Sequence, residues 1–141
     1  MDSTLLLLAL LALALLMAWG YATRTRRGNA RRSLRAREGE EDAEELLRAC
    51  GFTVVERQAT RQWSFDVDGE EYVAGVRADL LVEKDEALYV AEVKTGLRAP
   101  DPRHPATRRQ LLEYWFVYEP DGLLLVDMER REVREVTFPF T

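Results

Sequence analysis

The sequence predicts an α/β (α+β) domain, a mixed central sheet flanked by helices, preceded by one apolar N-terminal helix. Three observations carry that expectation. Residues 52–94 are dominated by alternating or apolar runs separated by turn signals. Stretches with helical spacing, 38–50 and 106–118, stand on either side of them. Two short apolar runs, 123–128 and 133–138, close the chain. Strand-period segments bracketed by helix-period segments are the pattern of a sheet covered by helices.

The N-terminal element is the plainest. Residues 4–22 form a charge-free run of 19 residues, mostly Leu and Ala, which as a helix extends about 28 Å, close to the hydrocarbon thickness of a bilayer. Trp19 and Tyr21 fall where an interfacial aromatic belt would lie. Residues 23–37 then carry seven arginines and no acid, whereas only Asp2 and the amino group precede the run. The positive-inside rule places the following domain in the cytoplasm, on a single-pass anchor in the inner (cytoplasmic) membrane. A cleaved signal peptide is the competing reading, but it calls for positive charge before the apolar stretch rather than after it. Gly28-Asn29-Ala30 and its neighbours read either as a linker or as a continuation of the helix along the membrane surface.

The expected domain organisation is therefore an anchor at 1–22, an arginine-rich juxtamembrane linker at 23–37 and a folded domain at 38–141. In the folded part Ala43, Leu46, Leu47 and Cys50 recur at helical spacing and Gly51 is placed to end that helix. Residues 52–59 read as a strand, 63–67 alternate, and Asp68-Gly69 is a strong hairpin signal before a strand at 72–82. Lys84-Asp85-Glu86 marks the next turn and 88–94 the next strand. Three prolines make 96–105 a loop, and Pro120 with Gly122 stops the second helix. The last two strands form a hairpin.

Composition excludes several chemistries. A single cysteine, Cys50, rules out an intramolecular disulfide framework. With one histidine, His104, a zinc centre of the usual nitrogen and sulfur ligands is not expected. A metal would have to be held by oxygen, which favours Mg²⁺, Mn²⁺ or Ca²⁺. From residue 38 onward the chain has 13 Lys+Arg against 24 Asp+Glu, a balance of −11. That acidity weighs against tight autonomous DNA binding, though not against a site that is acidic because it holds cations.

Against this background two apolar strands carry unexpected charge. Asp79 lies within Gly75-Val76-Arg77-Ala78-Asp79-Leu80-Leu81-Val82, and Glu92 and Lys94 end Ala87-Leu88-Tyr89-Val90-Ala91-Glu92-Val93-Lys94. Charged side chains are seldom buried unless paired or bound to metal. With a tight turn between the strands, positions 79 and 92 lie side by side, and the period of two sends Lys94 to the same face as Glu92. Two carboxylates, with the Val93 carbonyl as a third oxygen, suit one or two hard cations of the kind that drive phosphodiester hydrolysis, and a lysine beside them supports the attacking water or the phosphate.

These residues resemble the PD-(D/E)xK nuclease superfamily, whose restriction-endonuclease-like core is a helix, a three-stranded meander, a helix and a further strand. The resemblance rests on Gly75-Val76-Arg77-Ala78-Asp79 followed by Glu92-Val93-Lys94-Thr95-Gly96, with Ala78 where the family's proline would stand. Gln110-x-x-x-Tyr114 on the next helix is similar to the motif of the RecB-type branch. The resemblance covers nearly all of the folded part and implies catalytic roles for Asp79, Glu92 and Lys94. It implies metal ligation by Glu40, Asp79 and Glu92, with Glu44 second to Glu40, and substrate contacts by Gln110 and Tyr114 with Arg108 and Arg109. The implied protein is a membrane-anchored, Mg²⁺- or Mn²⁺-dependent nuclease acting on nucleic acid, DNA foremost. The alternative is an inactive nuclease fold kept as a membrane-tethered interaction or scaffold module. Trp63, Phe65 and Trp115 read as core or edge packing rather than base-stacking platforms.

Overall fold

The computed structural model describes residues 3–96 and 101–139, and of the side chains in the first 37 residues only Leu7, Leu10, those of 11–19, Tyr21 and Ala22. The chain divides into two compact units, Met1–Arg37 and Glu38–Thr141, each described by itself. In the first, the described residues belong to α1 (Ser3–Ala49), which runs on through the arginine-rich stretch. Among the described residues no helix is long and apolar enough to cross a membrane. The run 4–22 expected to do so falls in part on residues outside that description, namely the side chains of 4–6, 8, 9 and 20.

The second unit opens with the last turns of α1 and continues as β1 (Thr53–Val67), β2 (Glu70–Lys84), β3 (Ala87–Lys94), α2 (Pro105–Tyr118), β4 (Gly122–Asp127) and β5 (Glu132–Val136). The five strands lie in sequence order. Every neighbouring pair is antiparallel except β3 and β4, which are parallel because α2 carries the chain back across the sheet. Asp68 and Gly69 both have positive φ (54° and 89°), the conformation of a two-residue hairpin turn. Asp85 and Glu86 make the second such turn, with φ of 52° and 65°.

Two apolar layers hold helices to the sheet. On one side Ala43 and Leu47 of α1 meet Leu80, Val82, Ala91, Leu124 and Val126; on the other Leu111 and Tyr114 of α2 meet Ala59, Val76, Ala78, Leu81, Val90 and Leu123. β4 is buried along its whole length, which is why Gly-Leu-Leu-Leu-Val-Asp reads as a continuous apolar run rather than an alternating one. α2 begins with Pro105, whose fixed φ suits a first helical turn, and ends at Glu119 in the left-handed conformation before Pro120.

One irregularity positions everything that follows. Residues two apart in a strand share a face, yet Val76 and Ala78 pack on the α2 side while Leu80 and Val82 pack on the α1 side. The alternation therefore flips at Asp79. Directly across, the β1 ladder pairs Arg57 with Leu80 and Ala59 with Ala78 but skips Gln58, whose φ is +49°. A left-handed residue in a strand turns the chain over, and this one does so opposite Asp79.

Candidate active site

Asp79 stands where the sheet forks. Pairing between β2 and β3 ends at Leu80 with Ala91; from there β2 continues beside β1 and β3 continues beside β4 to Lys94. The β3 amides beyond that point would lack a partner on the β2 side. Asp79 supplies one, its Oδ2 accepting from Val93 N at 2.8 Å. The half-buried carboxyl is pushed up to about 6, first by burial and then by the charge of Glu92, with Glu40 adding to both, against the Val93 N–H and Lys94.

The remaining residues form a closed ring. Lys94 Nζ donates to Glu92 Oε1 at 2.7 Å and to Gln110 Oε1 at 2.9 Å. Gln110 Nε2 donates to the Tyr114 hydroxyl at 2.7 Å, and that hydroxyl lies 2.7 Å from Glu92 Oε2. The Arg77 carbonyl is 3.0 Å from the same hydroxyl. One proton cannot serve both acceptors equally, and the carboxylate takes the stronger, charge-assisted bond. Burial, and then the charge of Glu92, hold the Tyr114 phenol above its ordinary value, so it remains a donor. Glu92 is 4% exposed and both its oxygens are bonded, so the ring accounts for a buried charge that would otherwise be costly.

Five of the eight residues expected at the site, Asp79, Glu92, Lys94, Gln110 and Tyr114, are thus connected through bonds or through the fork. Arg108 and Arg109 stand outside the ring. Arg108 Nη1 donates to the Arg103 carbonyl at 3.2 Å, and Arg109 lines a separate groove with Trp63. Glu44 is engaged elsewhere, bonded by Arg57 and Arg48, and Arg57 first holds its carboxyl below the usual range. Part of the loop expected at 96–105, residues 97–100, lies outside the described residues.

Sequence reasoning did not single out Tyr118 or Gln58. Ala59 and Ala78 are ladder partners, yet the Tyr118 hydroxyl is inserted between them, accepting from Ala78 N at 3.1 Å and donating to the Ala59 carbonyl. The phenol wedges β1 from β2 one residue from Asp79. Its place one helical turn after Tyr114 is the signal that would have found it. Nothing in the sequence around Gln58 marks a left-handed residue.

The donor set can be tested against a hard cation. Asp79, Glu92 and Glu40 offer oxygen alone, and the Asp79 carboxyl, raised first by burial and then by the charge of Glu92, is a group whose ionised form a divalent ion would favour. Among the described residues no three His, Cys, Asp or Glu side chains converge as a closed metal cluster. The chemistry of the donors fits Mg²⁺ or Mn²⁺ held by two carboxylates, the number usual for magnesium sites completed by water and phosphate.

No protein-family model matches the chain, and no curated protein matches it. Among solved structures it is similar to one described as "Crystal structure of SSO0001", with a TM-score of 0.54 and 19% identity. The match covers 72% of this chain and 50% of that one, so this chain spans about half of its length. A likeness at that identity speaks to the fold, a five-stranded mixed sheet flanked by helices.

Proposed function

We propose that the chain is a metal-dependent nuclease of the PD-(D/E)xK, restriction-endonuclease-like type, tethered to the cytoplasmic face of a membrane by residues 4–22. The observation that carries this reading is the joining of Glu92, Lys94, Gln110 and Tyr114 in one ring beside Asp79, at the point where the sheet opens. The strands part beside two carboxylates and a lysine, and in this reading the phosphodiester approaches them there.

In this reading Asp79 and Glu92 hold Mg²⁺ or Mn²⁺ with help from Glu40. When bound, such an ion would supply positive charge at the phosphate and make a water easier to deprotonate for attack. Val93 N–H fixes the Asp79 carboxylate, so one oxygen is oriented and the other is left for ligation. Tyr114 fixes Glu92 in the same way through Oε2. Lys94, held by Gln110, exchanges its contact with Glu92 for the attacking water or a phosphate oxygen when substrate arrives. Arg108 and Arg109, exposed on α2, are the cations offered to the nucleic-acid backbone.

A second reading has its own support. Lys94 occupies Glu92 Oε1 directly, and the folded unit is strongly acidic. Both features suit an inactive nuclease fold serving as a membrane-tethered interaction module. Calorimetric titration of Mn²⁺ into the full chain in detergent micelles separates the two. The nuclease reading predicts saturable binding that Asp79→Asn abolishes; no binding by a folded protein favours the module.

A further inference from the structure

Beyond the flip at Asp79 the β1–β2 hairpin carries an aromatic strip that belongs to neither core layer. Trp63 and Phe65 of β1 lie two residues apart on the face that Ala59 presents to α2, and Tyr72 is the ladder partner of Phe65. The three rings form a continuous row, with centroids 5.3 Å apart from Trp63 to Phe65 and 5.7 Å from Phe65 to Tyr72. They are 38%, 43% and 43% exposed. The row is anchored where Trp63 Nε1 donates to Glu113 Oε1 at 3.2 Å. Beside it runs a groove of about 490 Å³ lined by Trp63, Arg109, Glu113, Phe116 and Val117. Clustered, partly exposed aromatics of this size mark interaction surfaces rather than solvated faces.

Charge decides what such a strip suits. From Gln62 to Val76 the hairpin carries Asp66, Asp68, Glu70 and Glu71 and not one lysine or arginine. Glu70 shares the ring face and Asp68 sits at the turn, while Asp66 and Glu71 alternate to the opposite face. A nucleic-acid strand stacking on the rings would bring its phosphates against this uncompensated negative charge, and an anionic membrane surface would meet the same repulsion. Guanidinium groups, by contrast, are attracted both to aromatic faces and to carboxylates. The fold already uses that contact nearby, where Arg61 lies 5.5 Å over the Tyr118 ring.

We infer that the Trp63–Phe65–Tyr72 strip is a docking surface for an arginine-bearing protein segment, whose guanidinium groups lie over the rings and pair with the hairpin carboxylates. The surface operates independently of phosphodiester cleavage, so it stands whether or not the site at Asp79 turns over. Affinity is set by the aromatic row and specificity by the acid fringe.

The test uses the full chain in nonionic detergent micelles and three fluorescein-labelled probes, read by anisotropy at physiological salt: an alternating Arg-Gly peptide, an alternating Glu-Gly peptide and an oligothymidylate. The arginine peptide is expected to bind and the other two to bind far more weakly. A Trp63→Ser/Phe65→Ser/Tyr72→Ser variant should weaken the arginine peptide about tenfold or more, as expected for losing several cation–π contacts. An Asp68→Asn/Glu70→Gln variant, which leaves the strip intact, should weaken it as well. Unchanged affinity in the carboxylate variant, or in a serine variant whose circular dichroism matches the parent, overturns the proposal. So does oligothymidylate binding that depends on Trp63, which would make the strip a nucleic-acid platform.

Discussion

Asp79→Asn should make the protein more stable, and only above acidic pH. The Asp79 carboxyl has an ordinary value of 3.8 and is pushed up to about 6 in the fold, chiefly by burial and then by the charge of Glu92. A carboxyl whose folded value is raised binds its proton more tightly in the native state than in the unfolded chain. Below 3.8 both states hold the proton and the group contributes nothing to the difference. Between 3.8 and about 6 ionisation penalises the native state progressively, and above about 6 the penalty is constant. At about 1.4 kcal/mol per unit this amounts to roughly 3 kcal/mol, and partial access to water brings it to about 1–3 kcal/mol. Asparagine keeps an oxygen for Val93 N–H and removes the charge. Urea unfolding of the full chain in micelles, followed by tryptophan fluorescence, should show the variant more stable by about 1–3 kcal/mol near pH 7.5, with the gain fading toward pH 4. A variant no more stable than the parent at pH 7.5, or equally favoured at both pH values, would show that Asp79 is not held against its charge.

Three further outcomes follow from the packing. Tyr118→Phe leaves the Ala78 N–H and Ala59 carbonyl, both on residues with no solvent exposure, without the hydroxyl between them, and should cost about 1–3 kcal/mol in the same unfolding assay. An unchanged midpoint would mean that the ladder closes directly and the wedge is dispensable. Leu47→Ala, at a fully buried site against β2 and β4, should cost about 2–5 kcal/mol; a loss below about 1 kcal/mol would place α1 off the sheet. At Gly122 an added Cβ would fall 2.6 Å from the Tyr89 ring. Gly122→Ala should therefore cost about 1–3 kcal/mol, and a neutral result would contradict the close pass of β4 beneath Tyr89.

Much of this arrangement was legible because local rules and tertiary structure agree. Asp68-Gly69 forced a two-residue turn, which fixed the long hairpin and its register; Pro105 and Pro120 bracketed α2. Asp79, Glu92 and Lys94 stood out because charge on apolar strands is an anomaly visible without coordinates, whereas Gln110 and Tyr114 were singled out only by the resemblance. What escaped is what only the assembled sheet determines. Residues 57–62, Arg-Gln-Ala-Thr-Arg-Gln, show no apolar alternation, so β1 read as two pieces when it is one strand from Thr53 to Val67. The left-handed Gln58 has no local signature in the sequence. Tyr118 passed unnoticed because an inserted hydroxyl is a property of two backbones meeting, not of a helix. Trp63 and Phe65 were expected to pack, and they do, but against each other and Tyr72 with much of each ring in water.

Cleavage by the full chain in micelles, on single- and double-stranded DNA and RNA with Mg²⁺ or Mn²⁺, bears most directly on the site at the sheet fork. Metal-dependent cutting of at least one substrate is expected, abolished by chelation and lost in both Asp79→Asn and Lys94→Ala while the proteins stay folded. No cutting of any substrate with either metal, or cutting that survives both substitutions, would contradict the assignment of phosphodiester hydrolysis to Asp79, Glu92 and Lys94.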